Sequence, residues 1–214
     1  VTANPGPVDA TISVPEIRDF DRINAELIQR LDFGARRIVL AGVGGQRLLA
    51  SRLVGSWDAL IEVEGNAGPE LAAELDAPGL TVVVRGNVAD GAGRGLVAGR
   101  LIVTGSASDG LGYTQTGGTI VVHGSAGHRA GLMQAGGSLI IVGAVGRLAA
   151  ERQTGGVLIV HRGRLGPHER RGATGGRMVL APLTDSNPPG DHWLFDTARR
   201  DCGEWLPEGA FDAG

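Results

Sequence analysis

The sequence predicts an all-β fold: a parallel β-solenoid of about seven rungs, each of 19–21 residues, with an N-terminal capping helix. Three observations predict it. Glycine supplies 37 of 214 residues, more than twice its usual share of about 7%. Each strong apolar run ends at a glycine: Gly65, Gly86, Gly105, Gly124, Gly143 and Gly163, at intervals of 21, 19, 19, 19 and 20. Two further markers keep the same time. Gly99, Gly118, Gly137, Gly156 and Gly176 precede the runs, and Gly93, Gly112 and Gly131 follow the run-ending glycines by seven residues, with Ala72 and Ala150 in the equivalent places.

Taken in chain order, residues 1–12 read as a flexible leader. Residues 13–34 read as the capping helix: Ser13 and Glu16 fit a capping box, Ile17, Phe20, Ile23, Leu27 and Leu31 share one face, and Gly34 is a stop signal. The solenoid then runs over 35–182. Ile38 to Leu40 open its first rung, and GGQRLL (44–49) is an atypical corner in which Gln46 and Arg47 would satisfy exposed backbone or bond a ligand. The runs are IEVE, TVVVR, LIVT, TIVVH, LIIV and LIVHR, and their weak alternation is expected of parallel strands covered on both faces. Stacked at about 4.8 Å, seven rungs make a rod about 30 Å long. From 183 to 214 the period disappears, and Trp193, Phe195 and Trp205 sit in an irregular tail rich in Pro, Gly and acids. They either fold back over the solenoid or dock on a partner.

The recurring glycines exclude a dinucleotide loop, which occurs once, between one strand and one helix. No G-x-x-x-x-G-K-[ST] segment occurs. A net charge of -3 with scattered arginines gives no nucleic-acid surface. Cys202 is the only cysteine, so no disulfide framework or thiolate cluster forms within the chain, and it reads as inert. No run of 18 apolar residues and no signal sequence is present, so a cytoplasmic protein is expected, with no membrane partner. His123, His128, His161, His168 and His192 lack metal-ligand spacing, and no Ser lies in a G-x-S-x-G context; Ser125 is a corner residue.

Chemistry in a solenoid is sought in columns, because equivalent positions lie about 5 Å apart. Four residues past the run-ending glycine one column reads Asp90, Asp109, His128, Arg147. Asp90 and Asp109 could form a carboxylate pair for acid/base work, and Asp109 with His128 a dyad. The alternative is a ladder of corner residues bonding the backbone.

IEVEGNAGPELA (61–72), VVRGNVADGAG (83–93), DGLGYTQTGG (109–118) and GHRAGLMQAGG (127–137), preceded by GGQRLL, resemble the Gly-x-Gly-x-Gly repeat (GXGXG) family. That family includes the C-terminal β-helix domain of the glutamate synthase large subunit and its stand-alone relatives, and the C subunit of formylmethanofuran dehydrogenase and of the formyltransferase/hydrolase complex. The likeness covers residues 16–182; Ala89 and Ser108 depart from it by replacing corner glycines, and the tail matches neither branch. The helix, the I-V-L run and G-Q-R look more like the stand-alone glutamate-synthase type. The resemblance implies a right-handed parallel β-helix without catalytic residues or cofactors of its own, a structural subunit packed against larger catalytic subunits. Those partners would carry FMN and iron–sulfur clusters in one branch, or a methanofuran-type cofactor in the other. A second copy of the chain is also open as a partner, and a stand-alone ligand-binding or hydrolytic protein using the aspartate column is the reading from outside the family.

Overall fold

The computed structural model describes residues 8–161 and 164–180. One all-parallel sheet of nine strands winds into a β-solenoid of about seven turns. The strands are β1 (Val8–Ser13), β2 (Ala35–Gly44), β3 (Ala59–Asn66), β4 (Asp76–Arg85), β5 (Ala98–Val103), β6 (Thr119–Val122), β7 (Ser138–Ile141), β8 (Val157–Val160) and β9 (Arg177–Leu180), stacked in chain order. The sequence period is the strand register: Leu101 pairs with Ile120, Ile120 with Leu139, and Leu139 with Leu158. The β-branched and leucine side chains at these positions are buried and form the interior with Val103, Val122, Ile141 and Val160. A second stack of single parallel bridges runs through Ala67, Val88, Ala107, Ala126, Val145 and Leu165, at the corner after each strand.

The remaining side of each rung carries a triplet of left-handed residues at alternate positions. Examples are Glu70, Ala72 and Glu74 (φ 60°, 53°, 57°), Gly91, Gly93 and Gly95 (72°, 65°, 65°), and Leu148, Ala150 and Arg152 (62°, 53°, 55°). The middle member faces the interior, and a Cβ added at Gly93 would lie 2.5 Å from Ile120 Cδ1. Positive φ and this lack of space together explain why Gly or Ala fills the middle place in every rung but the last, where Arg170 (φ 52°) takes it. Gly137, from the second marker, is held by backbone instead: its Cβ would meet the Gly117 carbonyl oxygen at 2.4 Å.

The N-terminal region departs from expectation in two ways. Residues 8–12, expected in a flexible leader, and Ser13, expected at the start of the capping helix, form β1 and pair in parallel with β2. The chain then crosses over through two helices rather than one: α1 (Val14–Ile17) and α2 (Phe20–Asp32). Arg18, at φ 60°, breaks them apart. Ser13 makes no side-chain cap, so the expected capping box is absent; Asp19 is the cap instead, its carboxylate accepting the Asp21 N–H at 3.0 Å. Ile23, Leu27 and Leu31 are buried at helical spacing, and both helices pack against β2. The expected tail, 183–214, and the last two residues given to the solenoid lie outside the described residues.

Candidate functional site

The aspartate column is present, and its side chains are turned to the backbone. The Asp109 N–H donates to Asp90 Oδ1 at 3.2 Å, the His128 N–H to Asp109 Oδ1 at 2.7 Å, and the Arg147 N–H to His128 Nδ1 at 3.0 Å. Asp109 therefore bonds the main chain of His128, not its imidazole, and the Asp–His dyad is not formed. Acceptance at Nδ1 leaves the neutral ring's proton on Nε2. Arg147 supplies only its amide to this ladder. A second ladder, one rung longer, runs beside the first: Asn66 Oδ1 accepts from Asn87, Asn87 Oδ1 from Ser106, Ser106 Oγ from Ser125 and Ser125 Oγ from Ala144, all at 2.8–3.1 Å. Each side chain occupies a backbone donor that the corner takes out of the sheet.

Asp90 and Asp109 also line a shallow surface concavity of about 350 Å³ with Glu70, Arg94, Tyr113 and Arg129. Its arginines are paired with carboxylates of the neighbouring rungs. Arg94 bridges Glu74 at 2.9 Å and Glu70 at 3.4 Å, and Arg129 lies 3.5 Å from Glu151. A carboxylate with a displaced acidity lies elsewhere. Glu62 is nearly buried on the outward face of β3, between Arg37 of β2 (2.7 Å) and Arg85 of β4 (3.1 Å). Burial pushes its carboxyl up, but the hydrogen bonds and charge of the two guanidinium groups outweigh this and hold it below the usual carboxylate range.

Two polar constellations escaped the sequence reading. Gln115, Gln134 and Gln153, at a spacing of 19, form a fully buried amide ladder. The Gln134 amide N–H donates to Gln115 Oε1 at 3.3 Å and to the Gly136 carbonyl at 3.1 Å; Gln153 donates to Gln134 Oε1 at 3.0 Å. The ladder ends at Ala173, one rung on, and Gln153 Oε1 is left without a partner. The signal was a Gln kept at the period within otherwise apolar columns. At the other end, Asn24 of α2 accepts the Ala50 N–H at 2.8 Å and donates to the Leu48 carbonyl at 2.8 Å and to Ser51 Oγ at 3.2 Å. In later rungs the same amide bonds the rung before, as Ala72 N–H to Leu49 and Gly93 N–H to Leu71. Asn24 thus stands in for a rung that does not exist.

The corner candidates Gln46 and Arg47 are likewise absorbed locally: Gln46 Oε1 accepts the Gly44 N–H at 2.7 Å, and Arg47 stacks 5.4 Å from the Phe20 ring. Trp193, Phe195, Trp205 and Cys202 lie outside the described residues. Among the described residues, no three His, Cys, Asp or Glu side chains come together in a way that could hold a metal ion. No described helix is long and apolar enough to cross a membrane.

No curated protein matches the chain. The register, the corner ladders and the glycine-marked turns are features of the repeat, and residues 56–187 match the sequence profile described as the GXGXG motif. That match spans more than half of the chain, which belongs to the GXGXG family.

Proposed function

We propose that this chain is a non-catalytic scaffold subunit of a multi-subunit enzyme, glutamate-synthase-like, in which catalysis and cofactors reside on larger partner chains. The observation that carries the reading is the fate of its polar side chains. Those that a search for chemistry would choose, Asp90, Asp109 and His128, each accept a backbone amide from the next rung. Each spends an acceptor atom on the corner of the next rung, and they do not bond one another's side chains as the members of an acid/base pair would. Membership of the GXGXG family supports the same reading, since it directs the search for partners to glutamate-synthase-related enzymes. The partners in this proposal are an amidotransferase and a synthase bearing FMN and iron–sulfur clusters, and the chain itself binds neither.

The test is recovery of the chain, tagged at its N-terminus, from its native host, with its companions identified by mass spectrometry. Stoichiometric amidotransferase and flavin synthase are expected. Recovery of formyltransferase and amidohydrolase-like subunits would replace this reading with a structural role in a formylmethanofuran-type complex carrying a methanofuran-type cofactor. A chain recovered alone, with an activity lost on Asp109→Asn, would overturn the scaffold role.

A further inference from the structure

One column of the repeat changes chemistry along the rod and then stops short. It carries leucine in the early rungs, then Gln115, Gln134 and Gln153, and last Ala173. Each glutamine has Gly or Ala three residues before it, at Gly112, Gly131 and Ala150. In the last rung both members change together, and Arg170 stands three residues before Ala173. The exchange conserves hydrogen bonds. Gln134 Nε2 donates to the carbonyls of Gly136 and Gly137 at 3.1 and 3.3 Å, and Gln115 Nε2 does the same to Gly117 and Gly118. In the last rung Arg170 Nη2 donates to the Gly175 carbonyl at 2.9 Å and Nη1 to that of Gly176 at 3.2 Å. A guanidinium from the neighbouring column thus does the work of a fourth amide.

What the exchange leaves undone is the bond along the ladder. Gln115 and Gln134 each accept at Oε1 from the amide of the next rung, at 3.3 and 3.0 Å. Gln153 Oε1 is buried without a hydrogen-bond partner among the described residues. The rungs themselves enclose this side chain. Its Nε2 lies 3.4 Å from the Gly156 carbonyl and 3.3 Å from that of Arg177, and a Cβ at Gly176 would lie 2.6 Å from its Cδ. A buried acceptor without a donor is costly, and an ordered water is the usual remedy.

We propose that one ordered water takes the fourth place of the amide ladder, donating to Gln153 Oε1 and accepting from the Arg170 guanidinium. Chemistry selects this ligand. It must donate to an amide oxygen on one side and accept from a cation on the other, which a water does and an anion or a metal ion does not. Space agrees: Ala173 lacks the methylene and amide group of a glutamine, and a water fills about 30 Å³. Donors agree as well. A guanidinium carries five N–H groups, and the Gly175 and Gly176 carbonyls engage two of these. Gly176, which takes one of them, is also the residue packed against Gln153 Cδ. Ala173 is only half-buried, so solvent has a path to the place.

A high-resolution crystal structure of the full chain, with urea midpoints of three variants, tests this. The wild type should show a water within hydrogen-bond distance of both Gln153 Oε1 and an Arg170 nitrogen. Arg170→Ala should lower the midpoint, because it strips the Gly175 and Gly176 carbonyls and one side of the water. Arg170→Ala/Ala173→Gln restores the pairing found at Ala150 and Gln153, so the midpoint should recover and the water should be displaced by the new amide. Arg170→Ala/Ala173→Leu should recover less, since leucine fills the space and brings no N–H. Three outcomes would overturn the proposal: Gln153 Oε1 dry in the wild type, a protein donor bonded to it there, or leucine rescuing the midpoint as well as glutamine. None of these outcomes bears on whether the chain is a scaffold subunit.

Discussion

Glu62 and Thr114 show how single residues carry local cost in this repeat. Glu62 holds two arginines from neighbouring strands, and its carboxyl is kept below the usual range. A folded-state acidity below the unfolded one makes the native state the weaker proton binder. The carboxylate therefore adds stability above the ordinary glutamate range, near 4.5, and that contribution is lost as pH falls through the folded value. Glu62→Gln should cost about 1–2 kcal/mol at pH 7, because both arginines are half-exposed and screened. The deficit relative to wild type should shrink as pH drops below the ordinary glutamate value, near 4.5, which urea titrations at several pH values would measure. A constant deficit would assign the cost to packing. Thr114 presents the opposite case. It is β-branched, sits at φ 55°, and occupies the position that Gly95 and Gly172 fill in other rungs. Thr114→Gly should raise stability by about 0.5–1 kcal/mol. A lower urea midpoint would mean that its hydroxyl bond to the Tyr113 carbonyl, 2.7 Å, outweighs the backbone strain.

Within the elements, side-chain ladders divide into solvent-facing and buried kinds, and the buried kind should dominate stability. Gln134 is bonded on both sides within a dry interior, so Gln134→Leu strands the Gln115 oxygen and the Gly136 carbonyl and takes one of three acceptors from the Gln153 amide. The expected loss is about 3 kcal/mol or more. Gln153→Leu should cost less, because its Oε1 has no protein partner to lose. Denaturant midpoints of the two variants test that order, and a larger loss at Gln153 would contradict the ladder account. The strands themselves were legible from the sequence, because a glycine period and β-branched runs are set by backbone register. The Gln ladder was not, since polar residues at the period look like corner residues until their burial is known. β1 left a faint signal, Val8, Ala10 and Ile12 alternating with polar residues, too short to separate from a leader. The capping box failed for a local reason. Ser13 belongs to the end of β1, and the left-handed Arg18 restarts the helix at Asp19. The aspartate column was found as a column, but spacing alone does not say whether a carboxylate faces a substrate or the next rung's amide.

A solenoid is nearly one-dimensional as a molecule: each rung touches its neighbours, and stability is a sum of rung terms and interface terms. Its weak points are then its ends, where backbone groups made to bond a neighbour have none. Here the N-terminal end is closed by β1 pairing with β2 and by Asn24, whose amide replaces the missing rung at Leu48, Ala50 and Ser51. Asn24→Ala removes the acceptor of the Ala50 N–H while leaving the apolar face of α2, Ile23, Leu27 and Leu31, in place. The expected consequence is local. Native-state hydrogen exchange at Ala50 and in the first turn should accelerate by about one to two orders of magnitude, the equivalent of about 1–3 kcal/mol for a stranded buried amide. Amides in β6 and β7, several rungs away, should exchange at the wild-type rate, because no interface of theirs is altered. Uniform acceleration along the rod would show that the solenoid opens as one cooperative unit, and that the helix anchors the whole molecule rather than its first rung.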